Sequence, residues 1–477
     1  MHKRLLQLGA QPLTPRGDGD DQHYLGVDGG LDPWLETLWF TILSHYPLPK
    51  NKEIISSDIL PPPSFEVQFL EEDHKVEEEE PEGDGATLVY QEGVVVENRR
   101  LTARDHFQDV RHFGFAGIGG EEISYSPGDV MNIRPCNLPD EVQEVINYFG
   151  WQDIADRYFN LIPTRDDITV LSRWGKSHTI RKVLTKHLDI FGRPRRYFFE
   201  LLSFFTTDPQ HAEKLKEFAS AQGQDELYSY CYKLRRTTFE VLQDFHSAKV
   251  PLKYLFDLIP EMRPRSFSIS SSPKMYPNQI HLTVAIVKYR TKMKLPRVGV
   301  CTKWMAGLSP GDKVSYRISK GTMRLPDSPS TPVIMIGPGT GVAPMRAFLG
   351  DRILEGAFDN VLFFGCRNEK KDYLYQEEWE QREREGGVRI FTAFSRDQED
   401  KIYVQHRIEE NAELMWEFIE RRKGVVLLSG NSKRMPTDVA EALKTVFRTQ
   451  GRMTEQEAES YLGEMEKRGR FQQECWA

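Results

Sequence analysis

The sequence predicts an α/β protein with an added β-barrel: a helical insertion interrupts the barrel domain, and a doubly wound parallel sheet follows it. Short strand-like runs separated by turn residues occupy about 86–135 and resume near 263. Apolar residues at spacings of three and four fill roughly 138–257. After residue 330, near-continuous apolar strands alternate with helices, which is typical of a parallel sheet buried on both faces.

Length, charge and cysteine spacing limit the class of protein. At 477 residues the chain exceeds what one hydrophobic core usually supports, so we expect two or three domains. The net charge of −8 gives the chain no overall basic surface that could bind the phosphate backbone of nucleic acid. Five cysteines without a C-x-x-C pair predict neither a disulfide framework nor a metal site, and no apolar run is long enough for a membrane span. A reducing, cytoplasmic location follows by default.

Residues 1–46 predict two helices but are too few for a domain. The first helix covers HKRLLQLGA, and the second opens with Asp32 as its cap and Pro33 at its first position. Residues 47–85 are rich in proline and acid, so they predict a linker.

The strand FEVQFL within this linker is expected to begin the barrel. We therefore expect a barrel domain over 60–325, with its helical insertion at about 138–257, and a nucleotide-binding domain over 326–477.

The first strand of the expected parallel sheet runs into a glycine-rich turn, IGPGTGVAP, at residues 336–344. Such a turn lets backbone N–H groups approach a diphosphate while the helix N-terminus adds partial positive charge. A kinase-type phosphate loop would need Gly-Lys-Ser/Thr where this chain has Gly341, Val342 and Ala343. Taken alone, the segment could also be a tight structural turn.

A second polar segment follows the third strand of this sheet. The run SRDQEDKIYVQ contains hydrogen-bond donors and cations suited to a phosphate monoester: Ser395, Arg396, Lys401, Tyr403 and Gln405. Two charge-assisted contacts of about 1.5–3 kcal/mol each would favour a 2′-phosphate by about two to four orders of magnitude. The segment predicts NADPH rather than NADH, although a solvated basic loop is the alternative on composition.

Two barrel segments predict a second nucleotide site. In RPRSFSISSSP, Arg265 could pair with a pyrophosphate, Phe267 could stack on an isoalloxazine, and Ser268 could hydrogen-bond a flavin nitrogen from the other side of the strand. In GVCTKWMAGL a turn opens a short helix and offers Thr302 and free backbone donors to a diphosphate. Each segment alone could also be ordinary barrel structure.

Six motifs follow one another along the chain: R-x-F-S, G-V-C-T, G-P-G-T-G-V-A-P, F-F-G-C-R, S-R-x5-Y-V-Q and a penultimate Trp476. Together they resemble the diflavin reductase family typified by cytochrome P450 reductase, and within it the NADPH-dependent diflavin oxidoreductases that serve cytosolic iron–sulfur assembly. The resemblance covers about 60–477. It implies a ferredoxin–NADP reductase-like FAD barrel with a helical connecting insertion, followed by an NADP-binding domain.

The resemblance also assigns site residues. For FAD it implies Arg235, Arg265, Phe267, Ser268, Gly299, Val300, Cys301, Thr302 and Trp476. For NADPH it implies Thr340, Arg367, Ser395, Arg396, Lys401, Ile402, Tyr403, Val404, Gln405 and Asp438. The catalytic group is expected to comprise Ser268, Glu474 and Trp476.

Trp476 would be the aromatic gate over the flavin, although a tryptophan so near a chain end could also be a stray exposed side chain. Two positions depart from the family pattern. Ser429 stands where such relatives place a cysteine, and Glu474 replaces an aspartate. Hydride transfer needs alignment of donor and acceptor more than an acid–base pair, so we expect activity to survive both changes at a modified rate.

The family begins with a flavodoxin-like FMN domain, and only its last portion is expected within residues 1–46. The residues present do not predict a complete FMN site, although Asp20 or Asp21 corresponds to a residue near FMN in complete relatives. The resemblance implies hydride transfer from NADPH to FAD and then, through FMN in complete relatives, electron transfer to an anamorsin-like iron–sulfur protein. The alternatives are an FAD-only reductase acting on a separate flavodoxin and a non-catalytic truncated isoform that competes for partners.

Overall fold

The computed structural model describes residues 2–20, 23, 27–54, 56, 58–71, 90–165, 174 and 177–476. Its strands β1 to β15 are, in chain order, Phe65–Phe69, Gln91–Arg100, Val110–Gly117, Val130–Ile133, Phe159–Pro163, Arg265–Ser268, Gln279–Ala285, Lys288–Tyr289, Arg297–Val298, Lys313–Ser319, Val333–Ile336, Asn360–Cys366, Arg389–Phe394, Val425–Asn431 and Phe471–Trp476.

The α-helices α1 to α17 are, in chain order, His2–Gln7, Asp28–His45, Pro139–Phe149, Ile180–Lys186, Arg196–Ser203, Pro209–Ala219, Gln224–Leu227, Thr238–Asp244, Leu255–Leu258, Val300–Ala306, Val342–Leu354, Glu369–Asp372, Gln376–Arg384, Val404–Glu410, Ala412–Trp416, Met435–Gly451 and Glu455–Lys467. In the part of the chain that the structure describes, no helix is both long and apolar enough to cross a membrane.

The chain forms two compact units. The helical unit comprises Met1–Glu82, Pro139–Glu261 and Thr291–Leu295, and the sheet unit comprises Gly83–Leu138, Met262–Arg290 and Pro296–Ala477. The domain bounds predicted from the sequence stay a prediction.

The helical unit encloses its own apolar core. Its largest fully buried side chains include Phe159 and Phe199, which pack with residues such as Leu184 and Leu202 from neighbouring helices. Strand β1, expected from FEVQFL, is present, but it pairs antiparallel with β5 and not with the larger antiparallel sheet. The expectation that this strand begins the barrel is therefore wrong, because its pairing partner comes from the helical insertion.

Helix α2 begins at Asp28, five residues before the first helical position predicted at Pro33. The Asp32 carboxylate accepts hydrogen bonds from the guanidinium of Arg196, one of them 2.7 Å long, and from the Gln224 side-chain amide at 2.9 Å. The hydrogen bond from Arg196 holds the pKa of Asp32 below its ordinary value. The carboxylate is thus engaged by a tertiary partner and not by the helix N-terminus, which explains why the capping prediction was wrong.

The sheet unit contains a six-stranded antiparallel sheet in the order β6-β4-β10-β2-β3-β7. Phe113, Phe115 and Met131 are completely buried on it. An isolated bridge between Ile269 and Leu282 joins the chain just after β6 to β7, so the two ends of the sheet approach each other.

The same unit contains a five-stranded parallel sheet in the order β13-β12-β11-β14-β15, as the apolar runs after residue 330 predict. The central strand β11 is buried at every position, from Val333 to Ile336. Between β13 and β14 the helical segment is broken at Asn411, which separates α14 from α15. The fifth strand, β15, carries Trp476 and was not predicted from the sequence.

Candidate functional site

A cavity of about 720 Å³ lies within the sheet unit, and we call it the Trp476 cavity. Its volume falls in the range typical of small-molecule sites. Its walls are built from β4, β6, β7, the loop before β3, the glycine-rich turn before α11 and the end of β15. The lining residues are His106, Gln108, Val110, Val130, Ser266, Phe267, Ser268, Thr283, Val284, Ala285, Val287, Thr302, Pro338, Gly339, Thr340, Ala343, Asp372, Leu374, Gly430, Asn431, Glu474, Cys475 and Trp476.

Strand β6 supplies Phe267 and Ser268, which pair with Met131 and Val130 of β4. The sequence predicts that these two side chains lie on opposite faces of the strand, yet both residues line the cavity. Ser266, on the same face of β6 as Ser268, lines the cavity as well. Arg265, at the other end of β6, does not line it.

The predicted turn and helix over GVCT are present as Gly299 followed by α10. The Thr302 hydroxyl lines the cavity and accepts a hydrogen bond from the Val287 backbone N–H at 3.0 Å. A Cβ on Gly299 would lie 2.9 Å from both Thr302 Oγ1 and Val287 Cβ, so glycine is needed for close packing. Cys301 is buried, and burial raises the pKa of its thiol to about 12, which leaves it protonated and unreactive near neutral pH.

The glycine-rich turn joins β11 to α11 as predicted, and Gly339 and Thr340 line the cavity. Gly339 has a φ of +58° and no atom within 4 Å of a Cβ built on it, so the space beside it is open. A Cβ on Gly341 would lie 2.1 Å from the Ser429 carbonyl oxygen, so this turn packs directly on β14. No side chain caps the first turn of α11. The Val342 backbone N–H donates to the Gly339 carbonyl oxygen of the preceding turn, and the partial positive charge of the helix N-terminus favours an anion there.

Strand β15 places the predicted catalytic residues Glu474 and Trp476 in the cavity wall. It pairs in parallel with β14, which brings Glu474 opposite Ser429 and Trp476 opposite Asn431. Trp476 is therefore fixed in a sheet, 38% exposed, and is not a stray side chain. Burial raises the pKa of Glu474 above its ordinary value.

Two polar residues in the wall, His106 and Asp372, were not predicted from the sequence. Their Nε2 and Oδ2 atoms are 3.6 Å apart, and burial lowers the pKa of His106. Asp372 also accepts the backbone N–H of Arg367 at 3.0 Å, while the Arg367 guanidinium lies 4.1 Å from the centre of the Phe107 ring. Neither residue belongs to a motif or a periodic segment, so no local signal identifies them.

The predicted phosphate-binding segment follows β13 but does not line the Trp476 cavity. Arg396 is exposed, and its backbone N–H donates to the Arg367 carbonyl at 2.8 Å, so the two arginines lie together just beyond the ends of the neighbouring strands β13 and β12. Lys401 and Tyr403 are also exposed. Ser395, in contrast, is buried and directs its hydroxyl to the Cys366 carbonyl oxygen at 3.2 Å.

The other assigned residues occupy different environments. Ile402 and Val404 contribute to an apolar core, and Gln405 is half-buried in the first turn of α14. Asp438 lies in the first turn of α16, 4.0 Å from Arg434.

Three further assignments are not tested by the cavity. Val300, which opens α10, does not line it. Arg235 belongs to the helical unit, where it has a φ of +54°, and its contact with FAD stays a prediction. Asp21 lies outside the described residues.

Comparison with known proteins matches two parts of the chain to cofactor-binding domain families, and the first match also covers the Pro139–Glu261 part of the helical unit. Residues 89–304 match the FAD binding domain family, a range that includes β6 and most of α10. Residues 335–441 match the oxidoreductase NAD-binding domain family, which includes the glycine-rich turn and the basic segment after β13.

Relatives that align with the whole of this chain identify its family more specifically. All of this chain aligns with the NADPH-dependent diflavin oxidoreductase 1 of Xenopus laevis at 44% identity, covering 82% of that protein. It also aligns over its whole length with the proteins of the same name from Danio rerio, at 45% identity and 81% of that chain, and Schizosaccharomyces pombe, at 36% and 81%. The chain belongs to the NADPH-dependent diflavin oxidoreductase family.

As an NADPH-dependent diflavin oxidoreductase, the protein uses FAD and NADPH, and the expected ferredoxin–NADP reductase-like fold is confirmed. The cavity fits these cofactors. Phe267 and Trp476 offer aromatic faces, Ser268 offers a hydroxyl, and the open space beside Gly339 admits a diphosphate next to the uncapped α11.

Proposed function

We propose that the Trp476 cavity is where hydride passes from NADPH to FAD, and that the electrons then leave to an anamorsin-like iron–sulfur protein in cytosolic iron–sulfur cluster assembly. The observation that carries the first part is the presence of Ser268, Glu474 and Trp476 in one cavity with the glycine-rich turn. FAD supplies the chemistry of accepting two electrons as hydride and releasing them singly. The electron acceptor and the cytoplasmic location rest on the family resemblance.

We assign two tasks to the protein side chains: they align the flavin and nicotinamide rings, and they stabilise the charge that develops during hydride transfer. Phe267 and Trp476 bound the space for stacked rings, and Trp476 must move aside when nicotinamide enters. Ser268 presents its hydroxyl as a hydrogen-bond donor to the flavin ring. Nicotinamide becomes cationic as hydride leaves it, so an ionised Glu474 nearby stabilises the charge that develops.

The proposed basis of coenzyme selection is the exposed pair Arg396 and Lys401. Both side chains are exposed cations that follow the carboxyl end of β13, the edge of a parallel sheet at which nucleotides bind, and charge-assisted contacts with them would favour a 2′-phosphate. Ile402 and Val404 anchor the same segment in the apolar core. We assign Ser395 a supporting part, because its hydroxyl is directed to Cys366.

The direct test is an anaerobic titration of the purified, FAD-loaded protein with NADPH and, separately, NADH. We expect NADPH to bleach the flavin absorbance and to drive reduction of ferricyanide, and flavin release to yield FAD. An FAD-loaded protein that neither bleaches nor reduces ferricyanide would refute the hydride step. Reduction of a purified anamorsin-like iron–sulfur protein, with and without added FMN, tests the proposed acceptor separately.

Coenzyme selection is tested by the double variant Arg396→Ala, Lys401→Ala. Removal of both charges should lower the ratio of kcat/KM for NADPH to kcat/KM for NADH by about two to four orders of magnitude. NADPH loses the contacts to its 2′-phosphate, whereas NADH has no such phosphate. Arg389→Ala is the matched control, since it removes an exposed arginine from the opposite end of β13. An unchanged ratio in the double variant would disprove the assigned role.

A further inference from the structure

An exposed phenylalanine ring lies against one of the arginines that the family resemblance assigns to NADPH. The Arg367 guanidinium is 4.1 Å from the centre of the Phe107 ring. Phe107 is 65% exposed although its side chain is large and apolar, and none of the six motifs includes it. A guanidinium over the face of an aromatic ring is attracted by the ring quadrupole. The contact therefore restrains an arginine side chain that is itself exposed to solvent.

Phe107 belongs to the connection between β2 and β3, residues 101–109, which we call the 101–109 loop. The Arg100 guanidinium donates to the carbonyl of His106, the residue before Phe107, at 3.1 Å. The hydroxyl of the buried Thr102 donates to the carbonyl of the residue after Phe107 at 2.9 Å. Hydrogen bonds therefore fix the backbone on both sides of the ring.

The 101–109 loop is attached to the segment that carries the arginine. This segment, residues 367–372, follows β12 of the parallel sheet. The Ala103 backbone N–H donates to the Lys371 carbonyl at 2.8 Å, and the Lys371 ammonium donates to the Asp105 carboxylate at 2.7 Å. The ring and the guanidinium are thus carried by two stretches of backbone that are bonded to each other, so the fold sets their separation.

Two carboxylates around this segment are engaged by its backbone and amide groups. Asp372 accepts the backbone N–H groups of Arg367 at 3.0 Å and Asn368 at 2.6 Å. Asp397 accepts the Glu369 backbone N–H and the Asn368 side-chain amide, both at 2.7 Å. In the part of the chain that the structure describes, the Arg367 guanidinium forms no ion pair. Its charge therefore remains available to an anion while the ring restrains it.

A second arginine lies beside the first. The Arg396 backbone N–H donates to the Arg367 carbonyl at 2.8 Å, and among the described residues Arg396 also forms no ion pair. Two guanidinium groups suit a phosphate monoester, which offers several charged oxygen atoms. We propose that Phe107 is a positioning residue, which holds the Arg367 guanidinium ready to bind the 2′-phosphate of NADPH together with Arg396. This inference rests on the proposed coenzyme selection.

The ring acts by ordering the arginine before the coenzyme arrives. A long arginine side chain loses rotamer freedom when it binds a phosphate, and this loss lowers the affinity. Because the Phe107 ring already restrains the guanidinium, part of the loss has occurred in the free protein. The strength of an exposed cation–π contact corresponds to a change of about two- to fivefold in affinity. We expect the effect on 2′-phosphate binding to have this size.

The test measures the affinity of the FAD-loaded protein for 2′,5′-ADP by calorimetry and for 5′-AMP by competition. The two ligands differ only in the 2′-phosphate. Phe107→Leu, which removes the aromatic face, should weaken 2′,5′-ADP binding about two- to fivefold and leave 5′-AMP binding unchanged. Phe107→Tyr, which keeps the face, should bind both ligands as the unmodified protein does. Phe358→Leu is the matched control, since it changes another exposed phenylalanine of the sheet unit.

A double-mutant cycle and a spectroscopic signal report on the contact itself. In an Arg367→Ala background, Phe107→Leu should cause no further loss of 2′,5′-ADP affinity, because no guanidinium remains for the ring to hold. Nuclear magnetic resonance of protein with nitrogen-15-labelled arginine resolves the Arg367 Nε–H signal, which Arg367→Ala assigns by its absence. The ring should shift this signal in the unmodified protein and in Phe107→Tyr, and Phe107→Leu should return it to the position of a free arginine.

Each contrary result has one meaning. An Arg367 signal that does not move in Phe107→Leu, or an unaltered affinity for 2′,5′-ADP, would overturn the proposal. An equal loss of affinity for 2′,5′-ADP and 5′-AMP would overturn the assignment to the 2′-phosphate. If the unmodified protein binds 2′,5′-ADP no more tightly than 5′-AMP, the proposed coenzyme selection fails, while the Arg367 signal still decides whether Phe107 holds the guanidinium.

Discussion

Two buried histidines, His112 and His281, lie together in the antiparallel sheet with ring centres 4.7 Å apart. His112 Nδ1 lies 3.0 Å from the Tyr375 hydroxyl, and His281 Nδ1 lies 3.3 Å from a guanidinium nitrogen of the buried Arg346. Burial, helped by the charge of Arg346, lowers the pKa of both histidines to about 3. Both are therefore neutral in the folded protein at neutral pH.

These histidines should make stability depend on pH. Their folded pKa values lie below the ordinary 6.5, so only the unfolded chain takes up protons as the pH falls below about 6.5. We expect the free energy of unfolding to fall toward pH 3, by up to about 1.4 kcal/mol per pH unit for each histidine. Urea unfolding at a series of pH values between about 7 and 4.5 measures this slope.

His112→Gln should lower stability at pH 7 and make the slope shallower, because the variant has one fewer group that protonates on unfolding. His246→Gln, which changes an exposed histidine of the helical unit, should leave the slope as it is. A slope that is identical in the His112 variant and the unmodified protein would contradict the assignment.

At the level of single residues, the sequence identified those members of the cavity that belong to motifs. Ser268, Thr302, Thr340 and Trp476 all line it. His106 and Asp372 were missed because the chain brings them there through loop packing, which no local spacing records. The buried orientation of Ser395 was missed for the same reason.

Among the elements, the glycine-rich turn shows how closely the parallel sheet is packed. Gly341 lies against the backbone of Ser429, and Gly337 lies so near Gly341 that a Cβ on it would be 2.7 Å from the Gly341 carbonyl oxygen. The turn therefore depends on glycine for packing at these positions and for its backbone angle at Gly339.

Gly341→Ala should displace this turn from β14. We expect a loss of about 1–3 kcal/mol in the free energy of unfolding and weaker NADP⁺ binding, because the new methyl group must push against backbone. Gly463→Ala is the control: this helical glycine has nothing within 4 Å of its Cβ position, and the change should stabilise by about 0.5–1 kcal/mol. Calorimetric NADP⁺ titration and urea unfolding together measure both effects, and an unaltered NADP⁺ affinity would argue against the turn as a binding element.

Element prediction succeeded where burial dictates composition. The apolar strands β11, β12 and β14 were predicted because both their faces are buried. Strand β15 was missed because FQQECW is largely polar, as an edge strand of the sheet can be. The start of α2 was missed because the carboxylate that resembles a cap is bound to Arg196.

Across the whole molecule, polar contacts help to hold α2 in the described part of the helical unit. Asp32 of α2 bonds to Arg196 of α5, and the Trp34 indole N–H donates to the Pro15 carbonyl at 2.9 Å. In α2 itself Trp39 and Phe40 are exposed, so apolar burial on that side contributes little to holding the helix. Helix α2 therefore depends on the Asp32–Arg196 pair for its attachment more than a helix with a well-buried apolar face would depend on one ion pair.

Asp32→Asn tests this dependence. Loss of the charge should lower the free energy of unfolding of the helical unit by about 1–2 kcal/mol. This value lies between those for exposed and buried ion pairs, because the Asp32 side chain is 22% exposed and the Arg196 side chain 27% exposed. Glu36→Gln, an exposed acid one turn later in α2, should change it little. Hydrogen exchange resolved by peptide should show faster exchange in α2 and α5 of the Asp32 variant. NADPH–ferricyanide activity below the unfolding transition should be retained, since the Trp476 cavity is built from residues of the sheet unit. Equal hydrogen exchange of α2 in the Asp32→Asn and Glu36→Gln variants would show that α2 is held by other contacts.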